Sequence, residues 1–368
     1  MSHPSLRAAA SGRPRVILVG SYRDTLGLCA DGFQRALAAE ADVEHLEGLS
    51  ALRDAVRLYR RAGSLIAQEG FELVHVLDPR LAAVGAALRR RHRVSATVTL
   101  TPEAMRSGTP LARLSRRCLI AFDEAFAGEE AIAPLVRQRV PRLPLSFVRP
   151  AARELPWPST RDVTRVARAL RGVRPGRLII GVPWPQNRND LRWFRDVVMP
   201  QLTARPLCLL FGVGGHREAR LMVRAAGTQA DFRVLGGPMT GSLIAAVART
   251  VDVFAVPVST RGAATGDPDL LMALSAGGVP VVSNATARDL VLAHEPSELM
   301  VEPGDEHGFI DALDGLLGLP AIQRHFLGED MARSLLQERP WRPVAIAYVE
   351  RFAALVGRPQ IPAGLRAA

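Results

Sequence analysis

The sequence predicts an α/β protein built from two doubly wound domains facing across a cleft. Three observations predict it. Short apolar runs alternate with helical patterns along the chain, which is how parallel strands covered on both faces read. A proline-rich joint, RPAARELPWPSTRD at 149–162, interrupts the alternation, which then restarts. The 368-residue length suits two domains, and a 48% hydrophobic, 23% charged composition can give each a core.

In the first half, RVILVGS (15–21) is a buried-type strand, followed by a long loop and a helix around DGFQRALAA. FELVHVLD is the next strand, PRLAAVGAALRRR a helix, and VSATVTLT a strand. SRRCLIAFDEAFAG leads from helix into strand, and LPLSFVRP closes the half. After the joint, RLIIGVPW is a strand and NDLRWFRDVVMPQL a helix. PLCLLFGVGG, DFRVLGG, DVFAVPVS and VPVVSN read as strands. HREARLMVRAAG, TGSLIAAVARTV and DLLMALSAGG read as the helices between them. ELMVEP is a last short strand, and helical patterns run on to RPVAIAYVERFAALVG. The expected domains are 1–150, 151–339, and a closing helix with its tail over 340–368.

Composition narrows the function. All 47 basic residues are arginine, and the formal net charge is +11. With no lysine, an anion clamp must use arginine, which favours planar, bidentate geometry. The charge is uneven: from Arg80 to Arg149 there are 13 arginines against five acids, a balance of +8. Within that region, LARLSRRCLIAF sets Leu111, Leu114, Cys118 and Phe122 near one helical face and Arg113, Arg116 and Arg117 largely on another. A solvated amphipathic helix and a contact for anionic lipid headgroups both fit this pattern. Nucleic acid is not an expected partner, because no aromatics interleave the arginines. Cys29, Cys118 and Cys208 are odd in number and far apart, so they read as reduced thiols rather than a metal site. No apolar run reaches the roughly 20 residues of a membrane span, and MSHPSLRAAASGRPR, with no apolar stretch before the first strand, does not read as a signal peptide. The expected location is cytoplasmic, with a possible peripheral position on the inner face of the plasma membrane.

Ligands of doubly wound sheets bind beyond the carboxyl ends of the strands. Four stretches lie there. GSYRDTLGLCADGF carries Gly20, Asp31 and Gly32 in a long, glycine-bearing loop. VHVLDPR sets His75 and Asp78 at the end of a strand. GVGG supplies Gly212, Gly214 and Gly215, whose backbone can approach a phosphate at a helix start, or simply make a tight turn. STRGAATGDPDLL holds Arg261, Gly262, Thr265, Gly266, Asp267 and Asp269. Either aspartate could be a site carboxylate or could cap the helix that follows.

In this order the segments resemble a glycosyltransferase of family 4, in the GT-B superfamily of two Rossmann-like domains. FELVHVLDPRLAAVGAAL, PWPQNRNDLRWFRDVVMPQL, DVFAVPVSTRGAATGDPDLLMALSAGGVPVVSN, ELMVEPGDEHGFIDALDGLL and RPWRPVAIAYVERFAAL carry the resemblance. It implies transfer of a sugar from a nucleotide-sugar to a glycan, lipid or envelope-polysaccharide acceptor. Configuration would be retained, with no cofactor and no obligatory metal. The C-terminal domain would hold the nucleotide, the N-terminal domain the acceptor, and the last helix, 344–356, would cross back to the first domain. Arg188-Asn189 falls where the family has its phosphate-clamping lysine pair. The family's two donor-site glutamates fall on Thr265 and Ala273, the basic residue between them on Leu270, an earlier arginine on Val182, and a frequent histidine near Thr101. Threonine and alanine cannot supply charge-assisted hydrogen bonds worth roughly 1.5–3 kcal/mol each. The resemblance therefore also allows a catalytically inactive homologue that binds or scaffolds a partner. Catalytic candidates are His75, Asp267 and Asp269; Arg188, Asn189 and the glycine-bearing loops are donor-side candidates; Gly20, Asp31, Gly32 and Asp78 are acceptor-side candidates.

Overall fold

A computed structural model describes residues 13–20, 30–47, 52–100, 105, 110–128, 132–148, 151, 155, 157–184, 188–213, 232–236, 240–259, 277, 280–283, 301–302, 304–338 and 340–357. The chain divides into two compact units, Met1–Ala151 with Pro340–Ala368, and Ala152–Arg339. The described strands of each unit form one parallel sheet.

In the first unit the strands are β1 (Arg15–Val19), β2 (Asp42–Leu46), β3 (Leu73–Val76), β4 (Ser95–Leu100), β5 (Glu124–Ala127) and β6 (Leu145–Phe147). Their order is β2-β1-β3-β4-β5-β6, so the direction of winding reverses between β1 and β3. Strand alternation builds both faces. Ile17, Val19, Val74, Val76, Ala96 and Val98 enter one core, beneath Leu58, Ala62 and Ile66 of the helix Leu52–Glu69. Val16, Leu18, Leu73 and Phe126 enter the other, with Phe33 and Leu37 of the helix Ala30–Glu40. The helix Trp341–Leu355 completes that second layer with Ala345, Tyr348, Val349 and Phe352. Tyr348 stacks on Phe126 with ring centroids 4.3 Å apart. Beside them the buried Glu124 carboxylate accepts from Arg351 Nε at 2.8 Å and from the Ser146 hydroxyl.

In the second unit the strands are β7 (Ile179–Pro183), β8 (Leu207–Val213), β9 (Phe232–Gly236), β10 (Val253–Val256) and β11 (Val281–Ser283). Their order is β11-β10-β7-β8-β9, with the reversal between β7 and β10. The predicted helix at 189–202 forms as Arg188–Trp193, a π segment Phe194–Val198 and a last turn Met199–Gln201. The wide segment lets the helix pass Pro200, which has no N–H to donate; Met199 N donates to Phe194 O.

The structure adds elements that the sequence pattern did not yield. β2 is one: DVEHL carries three charged or titratable side chains because it is an edge strand, half-exposed along most of its length. The helices Leu52–Glu69, Ala133–Arg139 and Thr160–Ala169 are the others. The last begins inside the proline-rich joint, capped by Ser159 Oγ, which accepts from Asp162 N at 3.2 Å. Of the expected strand ELMVEP, Val301 and Glu302 are described and are not in a strand; its other residues lie outside the described set. The expected helices at 216–227 and 269–278 also lie outside it, save Gly277. Among the described residues Cys118 and Cys208 are free thiols, no group of side chains could hold a metal ion, and no helix is long and apolar enough to cross a membrane.

Candidate functional site

The winding reversal of each sheet opens a crevice at the carboxyl ends of two neighbouring strands, and each crevice is described within its own unit.

In the second unit the crevice lies between β7 and β10, paired through Val253↔Ile180 and Phe254↔Gly181. The helix opening at Arg188-Asn189 follows β7, so its first turn stands at this edge. Asn189 is exposed. One residue further on, Asp190 is 1% exposed. Its Oδ1 accepts from Ser259 N at 2.8 Å and from Ser259 Oγ at 2.6 Å. Ser259 closes the segment after β10, immediately before Thr260. Asp190 therefore ties the helix after β7 to the loop after β10 across the mouth of the crevice. A buried carboxylate is costly unless it is hydrogen-bonded, and these two bonds, at the electropositive end of a helix, offset that cost. Sequence reasoning missed this pair. An acid in a first helical turn reads as an ordinary dipole partner, and nothing local announces a serine 69 residues away.

Gly212 sits at the end of β8 with φ of 78°, a left-handed conformation that glycine adopts without strain. There β8 bulges, pairing Phe211 with Leu235 and Val213 with Gly236. Gly212, the first glycine of the expected GVGG turn, thus sits at a bulge, beyond which pairing resumes at Val213. Val182, where the family has an arginine, is fully buried in β7. Gly214, Gly215, Arg261, Gly262, Thr265, Gly266, Asp267, Asp269, Leu270 and Ala273 lie outside the described residues, as does Thr101 in the other unit.

In the first unit the crevice lies between β1 and β3, and it brings Gly20 and Asp78 together. Gly20 has φ of 118°, and a Cβ there would lie 3.3 Å from Asp78 N, so any larger residue would be both strained and crowded. Gly20 N donates to Leu46 O at 3.1 Å, and Gly20 O accepts from His45 Nε2 at 2.9 Å. Asp78 is buried, but its carboxylate is engaged. It caps the turn Pro79–Leu81, accepting from Arg80 N at 2.9 Å and from Arg80 Nη2 at 2.8 Å. Asp31 and Gly32 fall in the first turn of the helix Ala30–Glu40.

His75 is not where the sequence reading put it. It lies inside β3, paired with Leu18 and Thr97, rather than at the strand's carboxyl end. Its ring is fully buried. Thr97 Oγ1 is 2.9 Å from Nδ1 and Thr99 Oγ1 is 3.0 Å from Nε2. Phe126, Tyr348 and Phe352 surround it at centroid distances of 5.4–5.6 Å. Burial pushes its pKa from 6.5 down to about 3. A neutral imidazole with both nitrogens engaged is a core group, and it has no open atom with which to take a substrate proton. Period-two alternation explains the error: the face of β3 and β4 that carries His75, Thr97 and Thr99 is covered by the Trp341–Leu355 helix.

Comparison with known proteins places this architecture. The fold matches sucrose-phosphate synthase from Thermosynechococcus elongatus at a TM-score of 0.64 and 14% identity, over 94% of this chain and 100% of that one. It matches Anabaena HepE, solved in complex with UDP and glucose, at 0.65 and 14%, over 92% of this chain and 100% of that one. The chain thus has the two-domain GT-B fold of Rossmann-like units. Residues 174–318 match the family model for glycosyl transferases group 1. The matched segment contains both the Arg188-Asn189 helix start and the Asp190–Ser259 tie. No curated protein matches the sequence.

Proposed function

We propose that the protein transfers a sugar, with retention of configuration, from a nucleotide-sugar donor to a glycan, lipid or envelope-polysaccharide acceptor. One observation carries the reading. The crevice of the second unit, inside the segment that matches group 1 glycosyl transferases, is bordered by the Arg188-Asn189 helix start and latched by Asp190 to Ser259. In this reading Arg188 clamps the donor diphosphate bidentately. The helix start adds backbone N–H groups and a favourable dipole. Gly20 and Asp78 border the acceptor side. The nucleotide-sugar partner is also supported by HepE, whose structures hold UDP, UDP with glucose, or UDP-glucose.

A second reading is favoured by Thr265 and Ala273, which stand where the family pattern has glutamates. In that reading the protein binds a nucleotide-sugar or a partner without turnover. Nucleoside diphosphate release, measured over a panel of UDP-, GDP- and ADP-sugars with mixed membrane and glycan acceptors, separates the two. Transfer predicts release that depends on acceptor; the inactive homologue predicts none. Where nucleotide is bound, Arg188→Ala should weaken its affinity about tenfold, a loss of about 1.4 kcal/mol. Unchanged affinity in that variant would remove Arg188 from the site.

A further inference from the structure

The first unit carries a second concave feature, at the opposite edge of its sheet from Gly20 and Asp78. It is a groove of about 1090 Å³ at the amino ends of β4 and β5, lined by Val94, Ser95 and Asp123. Two elements converge on it. The helix Ala82–His92 brings Arg89, Arg90, Arg91 and Arg93 at its carboxyl end, and the helix Pro110–Cys118 brings Arg117, with Ile120 just beyond. The lining's acid is Asp123, already held by Arg89 Nε at 3.1 Å and by Ala96 N at 2.9 Å. Arg90, Arg91, Arg93 and Arg117 are exposed. Among the described residues none of these four has an ion-pair partner.

Two details go beyond a solvated helix face. Cations in a last turn complement the helix dipole, and Arg117 has that explanation in its own helix, Pro110–Cys118; the dipole does not explain why the cationic ends of two helices converge on one groove. Arg93 lies just beyond its helix's last turn, in the left-handed cap position at φ 56° and ψ 31°. Glycine would fill that position with less strain; arginine there keeps a cation on the rim. The second detail is apolar. Ile120 is 77% exposed in the groove lining, and Leu114, on the helix that carries Arg117, is 52% exposed. A soluble anion has no use for an isoleucine held in water. A bilayer surface uses both, with phosphate headgroups on the guanidinium groups and the isoleucine at the headgroup–acyl boundary.

We propose that this groove docks the protein on an anionic phospholipid surface, with Arg90, Arg91, Arg93 and Arg117 holding headgroup phosphates and Ile120 seated among them. The dock is built from residues of the first unit and the donor crevice from residues of the second, so the proposal does not rest on the transfer reaction. Co-sedimentation tests it, using full-length protein and vesicles of phosphatidylcholine with or without phosphatidylglycerol, at low and high salt. Binding should require phosphatidylglycerol and fall steeply with salt. A variant carrying Arg90→Gln, Arg91→Gln, Arg93→Gly and Arg117→Gln should bind about tenfold more weakly or worse. Its nucleotide-sugar thermal shift should match that of wild type, which confirms that it is folded. Ile120→Ser should weaken binding severalfold. Neutralising exposed arginines of the other unit instead (Arg161, Arg168, Arg171 and Arg174) should change it little. The proposal is overturned if pure phosphatidylcholine vesicles bind equally, or if the two arginine variants lose binding alike. It is also overturned if glycerol phosphate in solution binds wild type and the Ile120→Ser variant equally well and displaces the vesicles.

Discussion

Acidification from pH 6.5 toward pH 3 is expected to remove roughly 4 kcal/mol of stability through His75 alone. In the folded chain the ring is fully buried and its pKa is pushed down to about 3; in the unfolded chain it returns to 6.5. Below pH 6.5 the unfolded state takes up a proton that the folded state refuses. Stability therefore falls by about 1.4 kcal/mol per pH unit until the folded ring also titrates near pH 3. Set against a typical total of about 5–15 kcal/mol, the loss is large. It falls on the layer joining β3 and β4 to Tyr348 and Phe352 of the Trp341–Leu355 helix. His75→Gln keeps a polar side chain between Thr97 and Thr99 without a titrating ring. Its unfolding free energy, followed by urea denaturation from pH 7 to pH 4, should fall with a visibly shallower slope than wild type. Parallel slopes would mean that His75 protonates freely and is not the sealed core group described above.

The other large effect belongs to Asp190. Asp190→Ala leaves Ser259 N and Oγ, at a half-buried position, without their acceptor, a cost of roughly 1 kcal/mol or more. It also frees the segment after β10 from the helix after β7. Two readouts should move together: the denaturation midpoint falls, and nucleotide-sugar affinity weakens about tenfold, since the latch holds both sides of the crevice. Asp190→Asn keeps one oxygen of the right size and should fall between. An Asp190→Ala protein that is destabilised yet binds nucleotide-sugar with full affinity would show that the tie serves the fold alone.

Much of the fold was legible in the sequence, for reasons visible in particular strands. VILV and LLF are apolar on both faces because helices cover both faces, and such runs have no other common explanation in a soluble α/β chain. Alternation in VSATVTL was equally readable, but its meaning was not. The threonines face a helix some 250 residues later in the chain, so nothing local showed that the strand face they share with His75 is covered, and His75 read as standing at a strand end. DVEHL hid as a strand because its edge position permits charge. The Leu52–Glu69 helix was legible in principle from Leu58, Ala62 and Ile66, which recur every fourth residue.

The candidate site divides in the same way. Gly20 and Asp78 were singled out because glycines and acids at strand ends are local signals, and the topology sets them side by side. Asp190 and Ser259 were not, since only the β7–β10 pairing brings them within hydrogen-bond reach. The groove arginines stood out in sequence as charge, but their convergence around Ile120 depends on two helices meeting at one sheet edge.

In the proposed function the second unit binds a nucleotide-sugar. A thermal melt against increasing UDP-, GDP- or ADP-linked sugar tests it most directly. At least one donor should raise the melting temperature progressively, reaching about 2.7 kcal/mol of added stability at a hundred times its dissociation constant. Arg188→Ala should blunt that rise. A flat response across the whole panel at millimolar concentration would mean that the second unit is not a nucleotide-sugar site.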